Sequence, residues 1–339
     1  MRTNKVLIIA EAGVNHNGSF DLAKKLVDAA LYAGADIVKF QTGIPELILT
    51  DNAPKAKYQE RETGKIDSQL DMIKKITLPF NDYVLLKEYC NEVGIKFLST
   101  PFDHKSIDFL KKLDIDMFKI PSGEINNLNY LQEVAKIGKD VILSTGMSTI
   151  SEIDNAISVL GEYLDDSQIS ILHCTTEYPA PFEEVNLNVI QTLKQTFGLN
   201  VGYSDHTKGI EASIAAVTLG AKIIEKHFTL DNKMIGPDHK ASLEPNELKI
   251  MISSIRNIEI ALGDGIKKVT KSESKNIKVA RKSVHILNNL KKGTVLLQNH
   301  LIMKRPGDGI SGFEIKYILG RKLSLDLEKD HKVSWKDFS

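Results

Sequence analysis

The chain of 339 residues has only two cysteines and one tryptophan, and its 44 lysines and arginines are matched by 44 aspartates and glutamates. Two cysteines exclude a disulfide framework and point to a reducing compartment. Zero net charge removes any global pull toward nucleic acid or a membrane surface, so the substrate must be attracted locally. No apolar run approaches the roughly twenty residues of a membrane span. The run that follows Met1 to Lys5 is cut at Glu11, too early for a signal sequence. A cytoplasmic protein with neither nucleic-acid nor membrane partners is the expectation. Cys174, at the end of an apolar run, is either a nucleophile or a small buried hydrophobe, and the second is the commoner role of a free cysteine.

What is present is a repeat of short apolar runs with helical patterns between them. The runs begin at Val6, Asp36, Ile95, Met117, Val141, Ile169, Tyr203 and Ile223, and each ends in polar residues. Buried parallel strands read this way. Amphipathic helices are predicted over 20–33, 81–93 and 245–262, with Pro245 near the start of the last. Another is predicted over 151–160, where Ser151 and Asp154 approximate a capping box. Eight such alternations over about 260 residues predict a (β/α)8 TIM barrel across 1–263, with a doubly wound open sheet as runner-up. The segment 43–79 is too long for a plain connection and reads as a functional insertion or subunit contact. Residues 264–282 read as a linker with some helical character, and 283–339 as a small second domain.

In a barrel the carboxyl ends of the strands hold the chemistry. Glu11, Lys39, Thr100, Ser122, Glu124, Ser144, Tyr178, Ser204, His206 and His227 should therefore surround one cavity. His206 and His227, on neighbouring strand ends, suit a divalent metal, although each alone could be a hydrogen-bonded core histidine. His16 is a weaker third candidate, and His239 is expected in a solvated loop. Lys39 and Lys119 near strand ends call for an anion or a carboxylate partner, or for Schiff-base chemistry. Strict strand alternation sets Lys119 on the face opposite Ser122 and Glu124 unless the strand distorts at Pro121. Glu11 and Glu124 could act as acid, base or sugar ligand, or pair with the lysines. Gly307 to Gly312 matches G-x-G-x-x-G by letters only, because it does not open a helix after a first strand.

Several motifs in this order resemble the sialic acid synthases and their legionaminic acid relatives. They are Glu11-Ala12-Gly13-Val14-Asn15-His16, Lys39-Phe40-Gln41-Thr42, Lys119-Ile120-Pro121-Ser122-Gly123-Glu124, Tyr203-Ser204-Asp205-His206-Thr207 and Glu225-Lys226-His227-Phe228. Lys304-Arg305-Pro306-Gly307 follows, in a module similar to a type III antifreeze (SAF) domain. The resemblance implies condensation of phosphoenolpyruvate with an N-acylated mannosamine-type sugar to a nine-carbon 2-keto acid, with release of phosphate. N-acetylmannosamine is the expected sugar, and its 2,4-diacetamido-6-deoxy analogue the alternative. The resemblance also implies Mn2+, or else Mg2+ or Co2+, on His206 and His227, with Glu11 catalytic. Phosphoenolpyruvate would be held by Lys39, Thr100, Lys119, Ser122, Ser144 and Ser204. The sugar would be held by Glu124, Tyr178, Asp238 and an Arg305 delivered across a domain-swapped homodimer. Thr176 stands where some family members carry asparagine. A Schiff-base aldolase on Lys39 or Lys119 and a carbohydrate- or ice-binding protein are the readings of other classes.

Overall fold

The computed structural model describes residues 5–64 and 66–339. Residues 1–4, which enter the leader reading, and Lys65 in the insertion lie outside the described residues. The chain divides into two compact units, Met1–Gly263 and Asp264–Ser339. Among the described residues no helix is long and apolar enough to cross a membrane.

The first unit is built on eight strands: β1 (Leu7–Gly13), β2 (Ile37–Thr42), β3 (Lys96–Pro101), β4 (Met117–Ile120), β5 (Asp140–Ser144), β6 (Ile169–Cys174), β7 (Asn200–Asp205) and β8 (Ile223–His227). They pair in parallel in the order β3-β2-β1-β8-β7-β6-β5-β4, and β3 lies beside β4. First and last strands therefore meet, and sequence neighbours are spatial neighbours throughout, as in a TIM barrel and unlike a doubly wound sheet. The apolar runs are buried because helices cover their outer side. Ile8, Ile9, Val38, Phe118, Leu143, Ile171 and Ile224 belong to one continuous core with Leu26, Leu86 and Leu248 of the surrounding helices.

Local chemistry fixes where elements start and stop. The last helix of this unit, Pro245–Leu262, has the predicted bounds, with proline in its first turn and Gly263 after its end. The capping box of helix Ile150–Gly161 is Thr149 with Glu152, not Ser151 with Asp154. The Thr149 hydroxyl accepts from the Glu152 N–H at 3.3 Å, while the Glu152 carboxylate accepts from the Thr149 N–H at 2.7 Å. β4 ends at Ile120, because Pro121 has no N–H to continue the ladder, and Ser122–Glu124 form a 3-10 turn. The predicted insertion carries three short helices, Pro45–Ile48, Lys57–Thr63 and Gln69–Ile76.

The second unit has an antiparallel pair, β9 (Ser283–Ile286) with β10 (Leu301–Lys304), over its own core of Val284, Ile286, Leu296, Ile318, Leu323 and Val333. The residues read as a linker include the short helices Lys271–Ser274 and Ile277–Ala280. The Gly307 N–H donates to Lys278 O at 2.8 Å, so this stretch packs with the small unit.

Candidate active site

Strand alternation delivers the site. Register sets Glu11 of β1 level with Lys39 of β2 on one side and with His227 of β8 on the other. A shift in that register between Glu11 and Gly13, where Gly13 takes φ +53°, turns β1 away just past Glu11. At the carboxyl ends of the strands is a cavity of about 190 Å³. Glu11, Lys39, Thr100, Lys119, Ser122, Ser144, Tyr178, Ser204, His206 and His227 all line it. The structure thus brings together every residue expected to meet phosphoenolpyruvate. Lys119 and Ser122 share this cavity despite their odd spacing, because the strand stops between them and the 3-10 turn brings Ser122 inward.

A carboxylate not singled out from the sequence ties the cavity together. Glu225 lies 3.4 Å from Lys39 Nζ and 3.6 Å from Lys119 Nζ, and accepts from the Ser204 hydroxyl at 2.9 Å. Glu11 lies 3.0 Å from Lys39 and accepts from Gln41 Nε2 at 3.2 Å. Lys39 donates to Thr100 Oγ1 at 3.0 Å and Lys119 to Ser144 Oγ at 2.6 Å. Burial pushes the Glu11 carboxyl well above its usual range, with Lys39 opposing and Glu225 adding to the rise. Burial acts on Glu225 in the same sense, but Lys119 and Lys39 outweigh it and hold this carboxylate ionised. Burial lowers the Lys39 pKa, and Glu11 and Glu225 more than restore it, so Lys39 remains an ammonium rather than a ready nucleophile.

The two histidines are neutral. Burial brings His206 down to about 4 and also lowers His227 well below its usual value, with His206 and Lys39 adding to the fall. Their ring centroids are 5.5 Å apart. His206 Nδ1 meets Thr175 O at 2.6 Å; as the donor there, it leaves the Nε2 lone pair directed to the cavity side, 3.4 Å from Ser204 Oγ. An imidazole held by a backbone carbonyl in this way is typical of a metal ligand. His227 Nδ1 is buried without a hydrogen-bond partner, 3.7 Å from Asp238 Oδ2. The pair therefore fits a divalent ion. Among the described residues no group of three or more His, Cys, Asp and Glu side chains is arranged to hold a metal ion, and these two imidazoles are the ligands that the site offers.

The residues expected to hold the sugar are more scattered. Tyr178 packs on His206 with ring centroids 4.2 Å apart, and Asp238 lines an adjoining cavity of about 260 Å³ with Tyr178 and His227. Burial raises the Asp238 carboxyl to about 6. Glu124 lines neither cavity, because the turn after Pro121 carries its carboxylate to Asn127 Nδ2 at 2.7 Å. Arg305 belongs to the second unit, where its Nε donates to Ala280 O at 3.1 Å. His16 is buried outside the cavity and accepts from the Gly18 N–H at 3.1 Å through Nδ1. His239 is buried rather than solvated, held between Thr229 Oγ1 at 2.7 Å and Asn17 Oδ1 at 3.2 Å. Cys174 lines the cavity, where burial pushes its thiol up and makes it a poor nucleophile. Thr176 Oγ1 also faces the cavity wall, buried and without a partner.

Comparison with known proteins fits this site. Residues 26–267 match the NeuB family and residues 281–339 the SAF domain. The N,N'-diacetyllegionaminic acid synthase of Campylobacter jejuni is 51% identical over 330 residues, 97% of this chain and 99% of that protein. The enzyme of the same name from Legionella pneumophila is 45% identical over 331 residues, 97% of this chain and 93% of that protein. Among solved structures, the N-acetylneuraminic acid synthetase of Leptospira borgpetersenii aligns with a TM-score of 0.70 at 36% identity, covering 80% of this chain and 90% of that one.

Proposed function

The chain belongs to the NeuB family, and from that premise we propose that it joins phosphoenolpyruvate to 2,4-diacetamido-2,4,6-trideoxymannose, forming N,N'-diacetyllegionaminic acid and releasing phosphate. It is a phosphoenolpyruvate-dependent nonulosonic acid synthase, a transferase that makes a carbon-carbon bond. N-acetylmannosamine, the sugar expected first from the sequence, gives way to its diacetamido analogue because the two most similar relatives described here are both legionaminic acid synthases. The single observation that carries the reaction class is the Lys39–Lys119–Glu225 network facing the two neutral histidines in one cavity.

In this reading Lys39 and Lys119 provide the positive charge for the phosphate and carboxylate of phosphoenolpyruvate, while Thr100, Ser122, Ser144 and Ser204 supply neutral donors that fix its orientation. A divalent ion on His206 and His227, Mn2+ by preference with Mg2+ or Co2+ as alternatives, would supply Lewis-acid polarisation of the sugar aldehyde. The methylene carbon of phosphoenolpyruvate then forms the new bond to the aldehyde carbon, leaving positive charge at the phosphate-bearing carbon. Glu11 faces that charge and takes the proton of the water that adds there, a role suited to a carboxyl whose proton affinity burial has raised. Cleavage of the carbon-oxygen bond expels phosphate and leaves the 2-keto group, the two protons of the added water ending on the new hydroxyl at the former aldehyde carbon, by way of Glu11, and on the departing phosphate. Tyr178 and Asp238 position the sugar, and Glu124 would join them only by releasing Asn127. Arg305 would reach the sugar site of a partner chain in a domain-swapped homodimer.

The test is phosphate release from phosphoenolpyruvate by protein stripped of metal and then given Mn2+, with each sugar in parallel. Metal-dependent release that favours the trideoxy sugar is expected. A preference for N-acetylmannosamine would return the chain to the sialic acid branch, and release from phosphoenolpyruvate with no sugar product would overturn the condensation itself.

A further inference from the structure

The insertion between β2 and the helix Phe80–Val93 is fastened over the barrel mouth. The Tyr58 ring lies 4.9 Å from that of Tyr178, Arg61 Nη2 donates to Tyr178 O at 3.2 Å, and Glu62 pairs with Lys240 at 2.5 Å. Gly43 allows the entry: a Cβ there would stand 2.5 Å from Ile48 Cδ1 and 3.3 Å from Phe102 Cβ. Without it, Ile48 folds in toward Phe102.

The space enclosed is the outer cavity, which shares Gln41, Phe102, Tyr178 and His227 with the reaction cavity. Its far side is Ile48, Leu49, Ile73 and Ile76 from the insertion, and among the described residues no lysine or arginine lines it. Polar groups, Tyr58, Gln59, Gln69, Thr77 and Asp238, line the rest of it, and two of these engage each other, Gln69 Nε2 donating to Gln59 Oε1 at 3.2 Å.

We propose that this insertion wall determines sugar specificity by receiving the C6 end of the sugar and preferring a methyl group there. The inference rests on the condensation proposed above. The aldehyde at C1 must reach the histidine side of the cavity to react, so the opposite end of the open chain extends through the shared mouth toward Ile48 and Ile73. A methyl group meets apolar surface there. Against Ile48 and Ile73 a 6-hydroxyl would lose water without gaining a partner, and a 6-phosphate would find no cation among the described lining residues. An apolar wall discriminates against an added hydroxyl by about 100-fold at most, so the preference is graded for the hydroxyl and severe for the phosphate.

The experiment uses the full-length, Mn2+-loaded protein with two sugars that differ at one atom, N-acetylmannosamine and its 6-deoxy analogue. For the wild type, kcat/KM for the deoxy sugar should exceed that for the hydroxylated one by roughly 10- to 100-fold. Ile73→Ser and Ile48→Ser each place a hydroxyl in the wall and should reduce that ratio severalfold while leaving the KM for phosphoenolpyruvate in place. If one variant proves inactive, the ratio is read from the other, and the thermal shift produced by phosphoenolpyruvate shows whether the inactive protein is folded. A wild-type ratio near one overturns the inference, as does a ratio unchanged in both variants. Absence of phosphate release from the wild type with every sugar overturns instead the reaction on which the inference rests.

Discussion

Replacing Glu225 with glutamine tests the electrostatic design of the cavity. The substitution keeps the volume and an acceptor for the Ser204 hydroxyl, but removes the charge shared by two buried ammonium groups. At 3.4 and 3.6 Å, each attraction is about 5 kcal/mol at an effective dielectric of about 20. Much of that offsets desolvation, and losing one member of a buried pair typically costs about 3–5 kcal/mol. Glu11 remains 3.0 Å from Lys39, so the lower end, about 3 kcal/mol, is expected. For a unit of this size that corresponds to a Tm lower by roughly 6–12 °C. Phosphoenolpyruvate would return negative charge to the same lysines, so a saturating concentration should raise the Tm of Glu225→Gln by more than that of the wild type. The assay is thermal unfolding of metal-free protein with and without phosphoenolpyruvate. A fall of less than about 2 °C, or an equal ligand-induced rise in both proteins, would refute the assignment of Glu225 as the shared counter-charge.

Lys226→Met removes one member of a fully buried pair with Asp205, 3.0 Å away on the outer face of β7 and β8; calorimetric titration should show Mn2+ binding weakened about tenfold or more, and unchanged affinity would deny that the pair positions the histidines. His16, buried and held near a pKa of about 4 against 6.5 when exposed, takes up its proton more readily in the unfolded chain, so stability falls as pH drops from about 6.5 toward 4. His16→Gln should remove up to roughly 3 kcal/mol of that loss, read by denaturant unfolding at pH 7 and at low pH, and identical losses in both proteins would count against it. Gly146→Ala would put a Cβ 2.2 Å from Thr176 Oγ1 and 2.9 Å from Ser122 Oγ; displacing those hydroxyls should raise the KM for phosphoenolpyruvate about 10- to 100-fold, the equivalent of roughly 1.5–3 kcal/mol for a bond to a charged group. An unchanged KM would exclude that wall of the cavity from phosphoenolpyruvate binding.

The barrel was legible because its strands are buried on both faces and so read as uninterrupted apolar runs, each ending in the polar residues that the fold gathers at one mouth. The helix Pro245–Leu262 was legible at both ends because proline and glycine mark them chemically. Glu225 was not. Its partners, Lys39 two strands away and Lys119 across the barrel, become neighbours only when the ring closes, and no local pattern distinguishes it from a surface carboxylate. The parity of Lys119 carried its own exception at Pro121, and that exception applies, since alternation holds only while the strand lasts and β4 ends at Ile120. His239 was expected in water because it lies in a loop, yet Thr229 and Asn17 satisfy both ring nitrogens and allow it to be buried.

The same alternation separates function from stability along β7 and β8. On the outward face Asp205 accepts from the Ser213 hydroxyl at 2.6 Å and the Thr207 N–H at 2.8 Å, while Lys226 donates to Thr207 O at 2.6 Å. Every bond of that pair serves to hold the strand ends. In the cavity that the inward face meets, shared with β1 and the segment after β6, buried atoms are left short. Glu11 Oε2, Glu225 Oε2, His227 Nδ1 and Thr176 Oγ1 all lack a hydrogen-bond partner, the two carboxylate oxygens meeting Lys39 as ion pairs only. Buried polar atoms are normally satisfied, and each exception carries an energetic cost. Two exceptions, Asn15 Oδ1 and His16 Nε2, lie in the loop after β1. The other four line one cavity, and two of them, Glu225 and His227, flank Lys226 of the fully bonded pair, as expected of a site that gains partners when its substrate binds. The outer clasp would then be what keeps those under-bonded groups from collapsing onto one another before the substrate binds.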